Sequence, residues 1–305
     1  MTKEKTGLVL GGGGARGLAH LGAIDVLGRK GIAPDLVVGT SIGSIIGAIY
    51  AASGDAGEAL NRVNDYFNCE CYTNIKFDFL KQTEEDKEND GLLDSLSRYL
   101  QKKFFYNVVL ANLQSFVSLE TYLENINYLI DDIDIQDTKI PFAAVCTDIN
   151  TGSEIVLTKG SLRMAVAASS AIPGIFPPVE VEGHLLVDGG WVNQLPVDTA
   201  RALGMDFVIA VNVAREMEQD FSTDTGLDII RRANAITRSV LNDLQSRDAD
   251  GIIGPEVGTI SWAEFGCIEN CMQKGRAAAE QFLEVFQKER KEKEGDSSLF
   301  GRLLG

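Results

Sequence analysis

Three short stretches of this chain carry residue types and spacings that could do chemistry: Gly39-Thr40-Ser41-Ile42-Gly43, Gly11 through Gly17, and Asp188-Gly189-Gly190. The first has the G-x-S-x-G spacing. An apolar run, Leu36-Val37-Val38, reads as a buried strand and stops at Gly39, whereas Ile42, Ile45, Ile46, Ile49 and Tyr50 fall on one face of a helix. Ser41 is therefore expected where a strand turns sharply into a helix. Gly39 and Gly43 permit the tight turn and leave the approach to the hydroxyl uncrowded. The helix start adds positive partial charge, which favours an oxygen that becomes negative. A serine so placed is a candidate nucleophile; a buried helix that merely contains Gly and Ser would show the same five residues.

The second stretch, Gly11-Gly12-Gly13-Gly14-Ala15-Arg16-Gly17, follows the short strand Gly7-Leu8-Val9-Leu10 and precedes a helical pattern at Leu18, Leu21, Ile24 and Leu27. Successive backbone N–H groups free of Cβ, next to a helix start, can converge on a negative oxygen as an oxyanion hole. Arg16 would steady that loop or add charge to it. Gly12, Gly14 and Gly17 also spell G-x-G-x-x-G, a dinucleotide fingerprint. The acidic residue needed about 20 positions on would be Asp35, which precedes its strand instead of ending it. There is no Gly-Lys-Ser/Thr, which excludes a P-loop, and a plain tight turn stays open as a third reading. Asp188 leaves the end of a strand, His184-Leu185-Leu186-Val187, where another side chain could reach it, although an ordinary Asp-Gly turn would look alike.

The elements that must position these residues read as strand, loop, helix, strand, turn, helix, the opening of an α/β domain with a parallel sheet. Pro141–Cys146 and Glu154–Leu157 are expected to continue the sheet, Phe207–Val213 is a core strand, and Ile252-Ile253 a last one. Asp55–Phe67 reads as helical. Cys69–Asp137 differs in character: a charge run over Lys81–Asp90, amphipathic helices over Gly91–Phe105 and Ser118–Asp132, and many aromatics. It is expected to be a helical, cap-like insertion, either packed on the core or lining an acyl-binding groove. Helices are expected over Thr223–Asp248 and from Cys267 to about Lys293. No linker divides residues 1–305, so one domain is expected, with core motifs over about 7–213, the insertion over about 69–137 and C-terminal helices over about 223–293.

Composition narrows the partners. With 28 Lys+Arg against 44 Asp+Glu the net charge is −16, which argues against a nucleic-acid partner and gives no pull toward anionic lipid. The five cysteines, an odd number with no small-scaffold framework, suit a reducing compartment. Cys69/Cys71 and Cys267/Cys271 are poor matches to zinc spacings, so no metal is expected. No signal-peptide pattern opens the chain, and a cytoplasmic location is expected, with peripheral membrane contact left open. Leu36–Gly54 lacks charge for 19 residues, but its glycines and serines mark it as buried core and not a membrane span.

Taken in order, Gly12-Gly13-Gly14-Ala15-Arg16-Gly17, Gly39-Thr40-Ser41-Ile42-Gly43 and Asp188-Gly189-Gly190 resemble the patatin-like phospholipase family, in its short, single-domain bacterial branch. Ala168 through Pro178 and Asp188 through Pro196 support the resemblance, which covers roughly 7–213. It implies a three-layer α/β/α fold with a mainly parallel central sheet, and hydrolysis of lipid or lysophospholipid carboxylic esters without a metal or other cofactor. By the match, Ser41 is the nucleophile, Asp188 its base, and Gly12, Gly13 and Gly14 supply oxyanion donors, with Arg16 and Gly17 in the same loop and Gly39, Gly43, Gly189 and Gly190 flanking the reacting residues. Only two histidines exist, His20 and His184, and neither follows Asp188, so the common Ser–acid–His order is unavailable. The alternatives are an acyl-carrier-protein acyltransferase, which would want a histidine base, and an idle regulatory protein on the same fold. Nothing implies an oligomeric state.

Overall fold

The computed structural model describes residues 4–69, 114–214, 223–258 and 260–292. The expected charge run over Lys81–Asp90 and helix over Gly91–Phe105 lie outside them. Among the described residues eight strands form one sheet: β1 (Thr6–Leu10), β2 (Leu36–Thr40), β3 (Phe142–Asp148), β4 (Glu154–Leu157), β5 (Val179–Val181), β6 (His184–Asp188), β7 (Phe207–Val211) and β8 (Gly251–Ile253). Their order is β5-β6-β3-β2-β1-β7-β8, with β4 also paired to β3. β8, β7, β1, β2 and β3 run parallel. β4 and β6 lie antiparallel to β3, and β5 antiparallel to β6, so the sheet does not continue in parallel through Glu154–Leu157. The reason is connection length: β3 and β4 are joined by a tight turn, and a parallel pairing needs a crossover of a dozen or so residues.

Alternation along the central strands divides their side chains between two apolar clusters. Leu8, Leu10, Val37, Ala144, Cys146, Ile209 and Val211 face one; Val9, Val38, Ala143, Val145, Val208 and Ala210 face the other. The first face carries α1 (Ala19–Arg29), α2 (Ile42–Ser53), α3 (Ala56–Asn68), α4 (Leu119–Leu129), α5 (Leu162–Ser169) and α8 (Ile268–Glu292). The second is covered by α6 (Val197–Ala202) with Leu195 and Met205. The layers are thus α/β/α, one much thicker than the other. Of the insertion, α4 packs Tyr122, Ile126 and Leu129 into the thick face.

α7 (Gly226–Gln245) behaves differently. Its apolar stripe is turned outward, with Ile230, Ile236, Val240 and Leu244 all exposed. The helix is fastened mainly at its C-terminal end, where Asn242 is buried and Gln245 bonds the loop before α6. Cysteine usage also departs from expectation at one position: Cys146, Cys267 and Cys271 are free thiols, whereas Cys69 is disulfide-bonded.

Four of the described helix starts carry a side-chain cap, whereas α1 and α6 begin at Leu18 and Pro196, which offer none. Asp55, Ser118, Ser161 and Thr225 each accept the amide three residues on, satisfying donors that a helix end leaves unpaired. Ser41 occupies the same position before α2 and makes no such bond.

α1 and α8 cross at backbone contact, and glycines allow it. A Cβ on Gly22 would stand 2.1 Å from the Met272 carbonyl oxygen, and one on Gly275 2.0 Å from that of Ala19. This crossing seats the start of α1 beneath the glycine loop. Gly22→Ala is expected to cost about 3 kcal/mol of stability, by overpacking against backbone. Gly28→Ala, in the same helix but facing open space, should gain about 0.5–1 kcal/mol from helix propensity. Urea unfolding midpoints at unchanged slope check both.

Candidate active site

β2 delivers Ser41 to a strained elbow with φ 56° and ψ −127°, a conformation that costs a non-glycine residue about 1–3 kcal/mol. The flanking glycines are required by contact. A Cβ on Gly39 would meet the Gly43 carbonyl at 2.5 Å, and one on Gly43 would meet that of Leu10 at 2.0 Å. The Ser41 N–H donates to Ser169 Oγ at 3.1 Å, and Ser169 Oγ–H donates to the Val145 carbonyl at 2.7 Å. Its own carbonyl accepts the first helical amide bonds, from Ser44 and Ile45. The backbone is thus fully engaged, and the hydroxyl is left to chemistry.

That hydroxyl donates to Asp188 Oδ2 at 2.5 Å. Asp188 ends β6 opposite Cys146 on β3, which brings residues 147 positions apart into contact across the sheet. Its other oxygen, Oδ1, accepts the Gly190 N–H at 2.8 Å, and Thr147 Oγ1–H donates to its backbone carbonyl at 2.9 Å. Gly189 is pressed on β3, where a Cβ would meet the Val145 carbonyl at 2.2 Å. Burial pushes the Asp188 carboxyl above its ordinary value; the bonds from Ser41 and Gly190 and the charge of Arg238 oppose the rise. The Arg238 guanidinium lies 4.6 Å over the exposed Trp191 ring.

In the glycine loop, Gly11 N–H donates to Val211 O, Gly12 N–H to Gln194 O and Ala15 N–H to Trp262 O. Gly12, expected to supply an oxyanion donor, has therefore committed its N–H, because the loop after β6 presents a carbonyl to it. The amides of Gly13 and Gly14 have no acceptor among the described residues. Gly12 still borders the site, where a Cβ would stand 3.4 Å from that of Ser41. Arg16 is buried and bonds backbone carbonyls: Nε donates to Val213 O and Nη1 to Ile260 O, which steadies the loop. Gly17 lets the loop press on α2, since a Cβ would meet the Ile42 side chain at 2.2 Å. Neither histidine bonds Ser41. His20 is fully buried, lowered to about 4 by desolvation, and so neutral, with Nε2–H donated to Gly11 O at 2.8 Å. His184 stands at the far end of β6 and pairs with Asp148.

Residues 8–201 match the patatin-like phospholipase family. The chain belongs to that family. Similar proteins include patatin-like phospholipase domain-containing protein 6 of Mus musculus, 35% identical over 225 residues, which make up 73% of this chain and 14% of that protein. Neuropathy target esterase sws of Drosophila melanogaster is 30% identical over 260 residues, 81% of this chain and 16% of that protein. This chain thus spans only about one-seventh of the length of these relatives. VipD from Legionella pneumophila superimposes on 93% of this chain and 67% of its own at 14% identity and a TM-score of 0.47, too slight a likeness to bear on the site.

Within this patatin-like chain, a cavity of about 100 Å³ opens beside Ser41 and Gly14. Ile42, Ile45, Val63, Ile126 and Phe176 make it overwhelmingly apolar. Tyr122 lines it too, its ring stacked on Phe176 at 4.2 Å and its hydroxyl donated to Ala167 O. The contacts of Ser169 with Ser41, of Thr147 with Asp188 and of Gln194 with Gly12 have no local sequence signal, because the partners are distant in the chain. Among the described residues no three His, Cys, Asp or Glu side chains gather as metal ligands. No described helix is long and apolar enough to cross a membrane.

The raised Asp188 carboxyl fixes the sign of the pH dependence for any reaction that uses it as a base. A base whose pKa lies above the ordinary carboxylate value protonates earlier as pH falls, so any activity that needs its ionised form is lost through that raised value. The kcat/KM–pH profile for ester hydrolysis should show one acid limb, centred above the usual aspartate value, and its position should be unchanged in His20→Gln and His184→Gln.

Proposed function

We propose that this chain is a serine acyl hydrolase of lipid or lysophospholipid carboxylic esters, working through a Ser41–Asp188 dyad. The observation that carries the reading is the 2.5 Å bond from Ser41 Oγ to Asp188 Oδ2, with Ser41 lining an apolar cavity. Asp188 takes the Ser41 proton as Oγ attacks the ester carbonyl. The negative oxygen that forms is received by the Gly13 and Gly14 N–H groups, aided by the start of α2. The tetrahedral species collapses, Asp188 returns the proton to the departing alcohol, and the acyl chain stays on Ser41. A water then gives its proton to Asp188 and attacks the acyl-enzyme; as the fatty acid leaves, Asp188 returns that proton to Ser41 Oγ, and both residues regain their starting state. The apolar cavity would hold the acyl chain, and α4, from the insertion, would form part of its wall.

Peripheral contact with a lipid surface belongs to the same proposal. Its support is the exposed stripe on α7 beside the exposed Trp191 and Arg238. The acyltransferase reading lacks support for its histidine base, since His20 is locked on Gly11 O and His184 on Asp148. An idle regulatory protein would not need a strained serine aimed at a buried carboxylate.

Ser41→Ala should abolish release of p-nitrophenol from short p-nitrophenyl esters and of fatty acid from lysophosphatidylcholine, with a loss of about a thousandfold or more in kcat. Circular dichroism and the urea midpoint should stay near wild type. Wild-type turnover in the folded variant would remove the proposal.

A further inference from the structure

Gln194 lies in the loop between Asp188 and α6, and the reaction scheme above gives it no role. Its backbone carbonyl accepts the Gly12 N–H at 2.9 Å, and its side-chain Nε2–H donates to the Gly12 carbonyl at 3.0 Å. Both polar backbone groups of one glycine are thus gripped by one residue from 182 positions away.

The second of these bonds reaches into the site. The Gly12 carbonyl belongs to the same peptide unit as the Gly13 N–H. That unit is trans, and in a planar trans peptide the C=O and N–H point in opposite directions. Holding the carbonyl on Gln194 therefore turns the Gly13 N–H to the side away from Gln194. Glycine stands at both ends of this unit, so no Cβ of its own blocks a half-turn. A half-turn would exchange the donor for a carbonyl oxygen, which repels an oxyanion.

Gln194 is itself seated. Its N–H and that of Leu195 donate to Gln245 Oε1 at 3.0 and 3.3 Å, and Gln245 Nε2–H donates to Val192 O at 2.9 Å. We propose that Gln194 is a positioning residue, a latch that keeps the Gly12–Gly13 peptide turned with its N–H toward the oxyanion, and that Gln245 from α7 seats the latch. The inference rests on the acyl-hydrolase reading above.

Two variants test it. Gln194→Met keeps the length of the side chain and removes the donor. Gln194→Glu keeps its shape and sets a carboxylate against the Gly12 carbonyl. Each is compared with wild type and Ser41→Ala on a short p-nitrophenyl ester, and in binding of a trifluoromethyl ketone, which forms an oxyanion on the serine. The expected result in whichever variant folds is a fall of about ten- to a hundredfold in kcat, somewhat less than the loss of a whole donor. Trifluoromethyl-ketone affinity should weaken by a similar factor, with KM within about twofold and the urea midpoint near wild type. Wild-type kcat in a folded variant overturns the latch, as does a loss of kcat that tracks a lowered urea midpoint while inhibitor affinity holds. If Ser41→Ala turns over at the wild-type rate, the acyl-hydrolase reading itself fails, whatever Gln194 does.

Discussion

The turn at Ser41 forces a residue with a Cβ into a backbone conformation it would otherwise avoid, and much of the surrounding packing exists to hold it there. Gly43 lies on the Leu10 carbonyl and Gly39 on that of Gly43, so β1, β2 and α2 meet with no room to relax. Ser169 holds the Ser41 amide. A serine before a helix normally spends its oxygen on the helix's own amides. At Ser41 the strained ψ turns the hydroxyl away from that use and toward Asp188. The strain, of about 1–3 kcal/mol, is thereby linked to a specific side-chain direction.

The partner carboxylate is balanced between opposing influences. Burial alone would leave Asp188 protonated and useless as a base; strong pairing would leave it ionised but weak. Burial dominates, opposed by the Ser41 and Gly190 bonds and by Arg238. The result is a carboxylate more basic than an exposed aspartate. On the proposed reading, that is how one buried Asp would take the role imidazole fills in serine hydrolases with a histidine base, and the two histidines here are engaged elsewhere. The same burial beside an apolar cavity keeps water from screening the pair.

What the chain disclosed in advance was local. Strand, sharp turn and helix around Ser41 are written in periodicity and glycine spacing, and the position of Asp188 at a strand end follows from the apolar run before it. Two features were legible and went unread. Asp148 caps a tight turn through Asn150, with Gly152 at φ 72°, which makes β3 and β4 antiparallel. Glu182 and Gly183 both have positive φ, the two-residue turn that joins β5 to β6. Other features had no local signal. That Gly12 spends its N–H on Gln194, that Ser169 carries the Ser41 amide, and that Gly22 and Gly275 answer each other across two helices depend on contacts between distant segments. The stripe on α7 misleads for a related reason, since periodicity reports an apolar face but not whether anything lies against it.

The central claim is that Asp188 is the base that activates Ser41. The most direct measurement is the rate and site of covalent labelling by a fluorophosphonate, mapped by peptide mass spectrometry in wild type and in Asp188→Asn. Asparagine keeps the shape of the side chain and removes its basic oxygen. The account predicts one adduct, on Ser41, in wild type, and labelling slower by about a hundredfold or more in folded Asp188→Asn. Labelling of Asp188→Asn at the wild-type rate, or an adduct on a residue other than Ser41, would contradict it.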